Sequence, residues 1–285
     1  MTAAPAPRPA LSPRAWLTWS LAAVTVALVS DNPIYRGLVA LAALDVLLAW
    51  SPPGRRLRPL ATALAIAAAL AALVNLLFSH TGNTALAQLP DAIPLLGGPL
   101  TVESAAYGCA VGLGLVAALL AVAPLSVVLE ADSIVDALPA PLERTGIAVA
   151  ASLNLVSSFG RTFTEVRDAQ RMRGWKPRGL RSWNEVLVPL VLTAIEDSVL
   201  LAEAMEARAF GAGRRSSFAA SGWDTRSVAV ALAALVGAAV FVGSRLGGVA
   251  MDWHPYPSLA LPPISPILVA ACLALALPAF RGRGR

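Results

Sequence analysis

Residues 57–78 read LRPLATALAIAAALAALVNLLF. After Arg58 this run is built almost wholly of alanine, leucine, isoleucine and valine, and Asn75 is its one amide side chain. At about 1.5 Å of rise per residue, such a helix reaches across a hydrocarbon core about 30 Å thick. Polar and apolar residues do not alternate along it, so it does not read as a strand of a membrane barrel. The whole chain agrees: over 285 residues it is 57% hydrophobic and 14% charged, with a mean hydropathy of +0.68. Soluble domains carry far more charge. So much apolar surface needs lipid, where a helix satisfies its own backbone polar groups.

Outward from that stretch, apolar runs predict six spans, at roughly 15–30, 34–50, 57–78, 102–129, 228–249 and 264–280. Arg8 and Arg14 precede the first run in the manner of a secretory signal. A second run follows Asp31-Asn32-Pro33 at once, however, so the first is expected to be a retained helix. Arg8, Arg14, Arg55, Arg56, Arg58, the 130–227 segment, Arg281, Arg283 and Arg285 all fall on one side of this arrangement. The loops at 31–33, 79–101 and 250–265 contain no lysine or arginine. The positive-inside rule therefore predicts a multi-pass protein of the cell membrane with both termini cytoplasmic. Arg36, Glu103 and Arg245 lie near span ends and are expected to reach the interface, while Asp45 is expected to pair with the loop arginines. Cys109 and Cys272 sit in apolar runs, and His80 and His254 sit apart in loops, so no disulfide framework or metal site is expected.

Three parts follow: N-terminal transmembrane helices over 1–129, a cytoplasmic region over 130–227, and C-terminal transmembrane helices over 228–285. The middle part holds 12 of the 17 acidic and 12 of the 22 basic residues, so it is neutral. A nucleic-acid face would carry a basic excess, whereas mixed signs on long helices point to protein contact or a solvated face. Here two apolar helical runs, 145–159 and 186–201, each continue into a charged end. In the first, Phe159, Phe163, Val166, Gln170 and Arg173 share a helix face, and Gly174 is expected to stop the helix. In the second, Asp197, Leu201, Ala204 and Arg208 form a stripe. Each helix thus presents an arginine at its C-terminal tip, with a turn expected at Pro177-Arg178-Gly179 between them. Arginine near a helix C-terminus also serves simply to offset the macrodipole.

Catalysis by this chain finds no support in its residues. Lys176, the only lysine, stands between Trp175 and Pro177, so there is no glycine-rich phosphate loop ending in Lys-Ser or Lys-Thr. Adjacent Glu196 and Asp197 project about 100° apart on a helix and do not converge.

The motifs Asp168-Ala169-Gln170-Arg171-Met172-Arg173-Gly174 and Ala202-Glu203-Ala204-Met205-Glu206-Ala207-Arg208 resemble the paired Ala-Arg-Gly motifs of the T component of energy-coupling factor importers, the CbiQ/EcfT family. The order of spans fits as well. Met172 stands where that family usually has alanine, and Ala209 where it has glycine, which adopts positive φ more readily. The resemblance implies an all-α polytopic membrane protein with long amphipathic cytoplasmic coupling helices, acting as the non-catalytic scaffold of an ABC importer. It implies that Arg171, Met172, Arg173 and Gly174, with Glu206, Ala207, Arg208 and Ala209, contact a pair of ABC ATPase subunits. Those partners would bind ATP and Mg, leaving no cofactor in this chain. A small substrate-binding membrane protein, the S component, would capture a vitamin or a transition-metal ion such as cobalt. Nucleic acid has no part in it. Two other classes compete: a self-contained secondary transporter, which calls for inverted repeats and broken helices, and an intramembrane enzyme.

Overall fold

The computed structural model describes residues 11–51, 57–90, 97–129, 143–177, 179–209, 223–248 and 252–282. Of the positions invoked above, Arg8, Arg55, Arg56, Arg178, Arg283 and Arg285 lie outside them. The protein is a mostly helical chain in two compact units, one from Met1–Glu130 with Gly222–Arg285 and the other from Ala131–Ser221.

The first unit contains α1 (Pro13–Val29), α2 (Pro33–Trp50), α3 (Arg58–Phe78), α4 (Val102–Val128), α7 (Thr225–Leu246), α8 (Pro266–Ala274) and α9 (Leu277–Gly282). Among the described residues four helices, α2, α3, α4 and α7, are long and apolar enough to cross a membrane, while α1 is a shorter apolar helix. Local chemistry sets their starts. Ser12 and Asn32 accept from Ala15 N and Ile34 N at the heads of α1 and α2, where a proline at the first helical position needs no acceptor. Thr101 caps α4 in the same way through Ser104 N.

Helix α4 packs against α1, α2 and α3; α7 lies on α1, and α8 on α2 and α7. The α3–α4 contact depends on two glycines four residues apart. A Cβ on Gly108 would meet the Ala72 carbonyl oxygen at 2.8 Å, and one on Gly112 would meet that of Ala68 at 2.8 Å. Small residues at this spacing let two apolar helices approach backbone to backbone, where dispersion does the work that water exclusion does in soluble proteins. None of α3 is buried, and Ile66, Leu70, Leu73 and Phe78 are among its exposed residues.

The predicted sixth span is interrupted. Pro278 has no N–H and its ring crowds the residue four places back, so α8 stops at Ala274 and α9 begins at Leu277. Two carbonyls at this break accept from indoles: Trp19 Nε1 donates to Leu275 O at 2.8 Å and Trp50 Nε1 donates to Pro278 O at 3.1 Å.

Two charged residues expected to reach the interface are instead enclosed. Glu103 is 1% exposed, and its carboxylate accepts from Thr84 N, clasping that stretch of chain to the head of α4. Arg36 has a side chain 11% exposed, donates to Ala110 O at 3.0 Å and pairs with Asp31 at 3.4 Å. Glu103 meets the chain at Thr84, and Arg36 lies along α4, where a Cβ on Gly114 would come within 2.8 Å of its Nε. Asp31 also pairs with Arg245 at 2.9 Å, and Arg245 with Asp252. Within 79–101, read from sequence as a plain loop, β1 (Ala85–Leu89) and β2 (Gly98–Thr101) form an antiparallel hairpin with Leu89 opposite Gly98 and an irregularity between Ala85 and Ala87.

Candidate functional site

The second unit contains α5 (Glu143–Met172), a 3₁₀ turn (Leu180–Trp183) and α6 (Asn184–Ala207). The expected helix stop at Gly174 is present. Gly174 has φ +86°, Trp175 N donates back to Gln170 O at 3.0 Å, and Gly174 N donates to Arg171 O at 3.0 Å. This pairing closes the last turn of α5, and the left-handed backbone it requires suits glycine. Arg173 sits at the closing position with its side chain exposed.

Three aromatic rings brace the chain beyond that tip. Phe163, on the predicted α5 stripe, stacks on Trp183 with centroids 6.3 Å apart and planes 8° from parallel. Trp175 is buried, meets Trp183 edge-on at 5.4 Å and donates from Nε1 to Ser182 O at 2.8 Å. A fourth tie has a backbone cause. Pro189 inside α6 has no N–H for the carbonyl of Glu185, and Gln170 Nε2 donates to that carbonyl at 3.0 Å. Phe163, Val166 and Gln170 of the α5 stripe are therefore partly covered within their own hairpin, while its two ends, Phe159 and Arg173, are exposed. Farther along, Leu155, Phe159 and Thr162 of α5 line a groove with Leu190, Ala194 and Asp197 of α6.

The second tip closes similarly with a different residue. Arg208 caps α6, Ala209 N donates to Glu206 O at 2.9 Å, and Ala209 has φ +53°. Alanine thus occupies the left-handed conformation that glycine fills at the first tip. Arg171, Met172, Arg173, Gly174, Glu206, Ala207, Arg208 and Ala209 are all exposed. Two clusters result. Arg173 lies beside the start of α6 and Arg208 at its end, so α6, 24 residues and about 36 Å long, separates them.

The unit's other exposed feature is apolar: Val188, Val191, Leu192, Ile195 and Val199 of α6 stand more than half exposed. Among the described residues no group of three or more His, Cys, Asp or Glu side chains is placed to hold a metal ion. The sequence contained two signals beyond those read from it: the Gly108-Cys109-Ala110-Val111-Gly112 spacing, and the Pro189 that frees a carbonyl.

The comparison with curated proteins gives no match. The family model described as CbiQ, cobalt transport protein, matches residues 6–218, well over half of the chain, including both arginine tips and every described helix up to α6. With its apolar helices and this match, the chain belongs to the CbiQ cobalt transport protein family, whose members are membrane transport components.

Proposed function

We propose that this chain is the transmembrane coupling subunit of an energy-coupling factor type ABC importer, passing the motion of two ATPase subunits to a substrate-binding membrane protein. The observation that carries the reading is the pair of exposed arginine tips, alike in their backbone closure and held apart by the length of α6. A guanidinium stays charged at any cellular pH and offers a fixed fork of donors to a carboxylate, which suits docking into an acidic groove. Two such tips serve two ATPase subunits. A helix of this length between them moves one contact when the other is displaced. The open apolar face of α6 then meets the membrane partner that captures the transported vitamin or metal ion, with cobalt favoured by the family. In this reading the second unit and both termini are cytoplasmic, ATP and Mg belong to the partners, and the chain itself performs no chemistry.

A secondary transporter would use carbonyls at a helix break to hold an ion. At the α8–α9 break, the carbonyls of Leu275 and Pro278 are already engaged by Trp19 and Trp50, which favours the scaffold. Charge reversal tests it. Arg173→Glu with Arg208→Glu is expected to abolish co-purification with the ATPase pair and ATP-driven uptake while leaving membrane insertion intact. Unchanged assembly and uptake in the double variant would remove the proposal.

A further inference from the structure

The two tips differ in chemistry. At the first, Met172 is 84% exposed, and Arg171, Arg173 and Lys176, its neighbours in the chain, are also exposed. None of these three cations forms an ion pair among the described residues, since the nearby Asp168 is engaged by Arg167 at 3.2 Å. At the second tip, Glu206 offsets Arg208 and the remaining side chains are alanines. A long, unbranched thioether flanked in the chain by Arg171 and Arg173, with no ion pair to either among the described residues, has the composition of an interface centre, where methionine and arginine are enriched. It is also preorganised. The Gly174 closure and the Phe163–Trp183–Trp175 stack hold the backbone beneath Met172 before any partner arrives, which lowers the ordering cost of binding.

From this we infer that Met172 is a plug that seats in an apolar pocket rimmed by carboxylates on one ABC ATPase subunit, making the first tip the affinity-bearing contact and the second a lighter one. The inference rests on the coupling reading above and adds to it a specificity-determining residue and an inequivalence between the two ATPase contacts. Arg171 and Arg173 orient the plug through the carboxylate rim, and the thioether supplies apolar burial that salt does not screen.

The test uses the full chain in detergent or nanodiscs and the ATPase subunits that co-purify with it, re-purified, with binding measured across a salt series. Met172→Ala is expected to weaken binding about five- to tenfold with an unchanged salt slope. Met172→Asp should weaken it further, and Met172→Leu should stay within about threefold of wild type because it conserves apolar volume. Since Met172 lies almost wholly in solvent, these variants should retain the wild-type tryptophan emission of the stack beneath. If Met172→Ala and Met172→Asp bind like wild type while the Arg173→Glu/Arg208→Glu variant does not, the plug is rejected and the coupling role stands. If the double arginine variant also binds like wild type, or no ATPase co-purifies with the wild-type chain, both ideas fall together.

Discussion

Gly174 and Ala209 hold the same position at two helix ends: each directly follows an arginine that closes its helix, and each has left-handed backbone, with φ of +86° and +53°. Glycine adopts this conformation freely, whereas an L side chain crowds the adjacent carbonyl at a cost of about 1–2 kcal/mol. Ala209→Gly is therefore expected to stabilise the end of α6 by about 1 kcal/mol, and Gly174→Ala to destabilise the end of α5 by a similar amount. Hydrogen exchange resolves both signs, slowing across 203–209 in the first variant and speeding across 169–176 in the second. A rise in exchange at 203–209 for Ala209→Gly would contradict the backbone assignment.

The break between α8 and α9 depends on two indoles. Trp19→Phe and Trp50→Phe keep an aromatic ring but lose the pyrrole half of the indole with its donor, leaving Leu275 O or Pro278 O without that partner. Trp19→Phe should cost about 1–3 kcal/mol, because its bond is buried, and Trp50→Phe less. Thermal unfolding in detergent gives the order.

Asp31 serves two arginines at once, with one oxygen toward Arg36 and the other toward Arg245. Asp31→Asn leaves the largely enclosed Arg36 without its counter-charge, whereas Asp252→Asn affects only the more exposed Arg245. The first is expected to destabilise by about 1–3 kcal/mol, and the second by under about 1 kcal/mol. Equal effects in the same unfolding assay would mean that Arg36 does not depend on Asp31.

At the α3–α4 contact, Gly112→Leu places a branched side chain where even a Cβ would lie 2.8 Å from the backbone oxygen of Ala68. The helices must separate, at about 1–3 kcal/mol for overpacking or more. Thermal unfolding in detergent should show Gly112→Leu less stable than the parent by that amount, and an unchanged midpoint would mean that the two helices do not meet at Gly112.

Much of the membrane architecture was legible in residues 57–78 and their counterparts. Transfer of apolar side chains into lipid is roughly additive along a chain, so a sum over neighbouring residues identifies a spanning helix without any knowledge of what it touches. The helix stop at Gly174 was legible for a similar reason, since the conformation it needs belongs to one residue and its immediate neighbours. The left-handed turn at Ala209 was not, because alanine there states no preference for it.

What the tertiary structure decided lies between residues far apart in the chain. Glu103 and Arg36 looked like interfacial charges by position, yet Thr84 and Ala110 with Asp31 enclose them. The sixth span read as continuous, yet it is interrupted ahead of Pro278, and folding brings Trp19 and Trp50 to carbonyls at that break. At the candidate docking site both arginines were readable as helix ends. Their separation along α6, and the ring stack that stiffens one of them, were not. Hydropathy and backbone preference are properties of a residue and its near neighbours, so the chain by itself determined the helices and the first stop. Hydrogen bonds, ion pairs and ring stacking act over a few ångströms between groups that only the folded chain makes adjacent, so enclosure, capping and the spacing of the two tips were settled there.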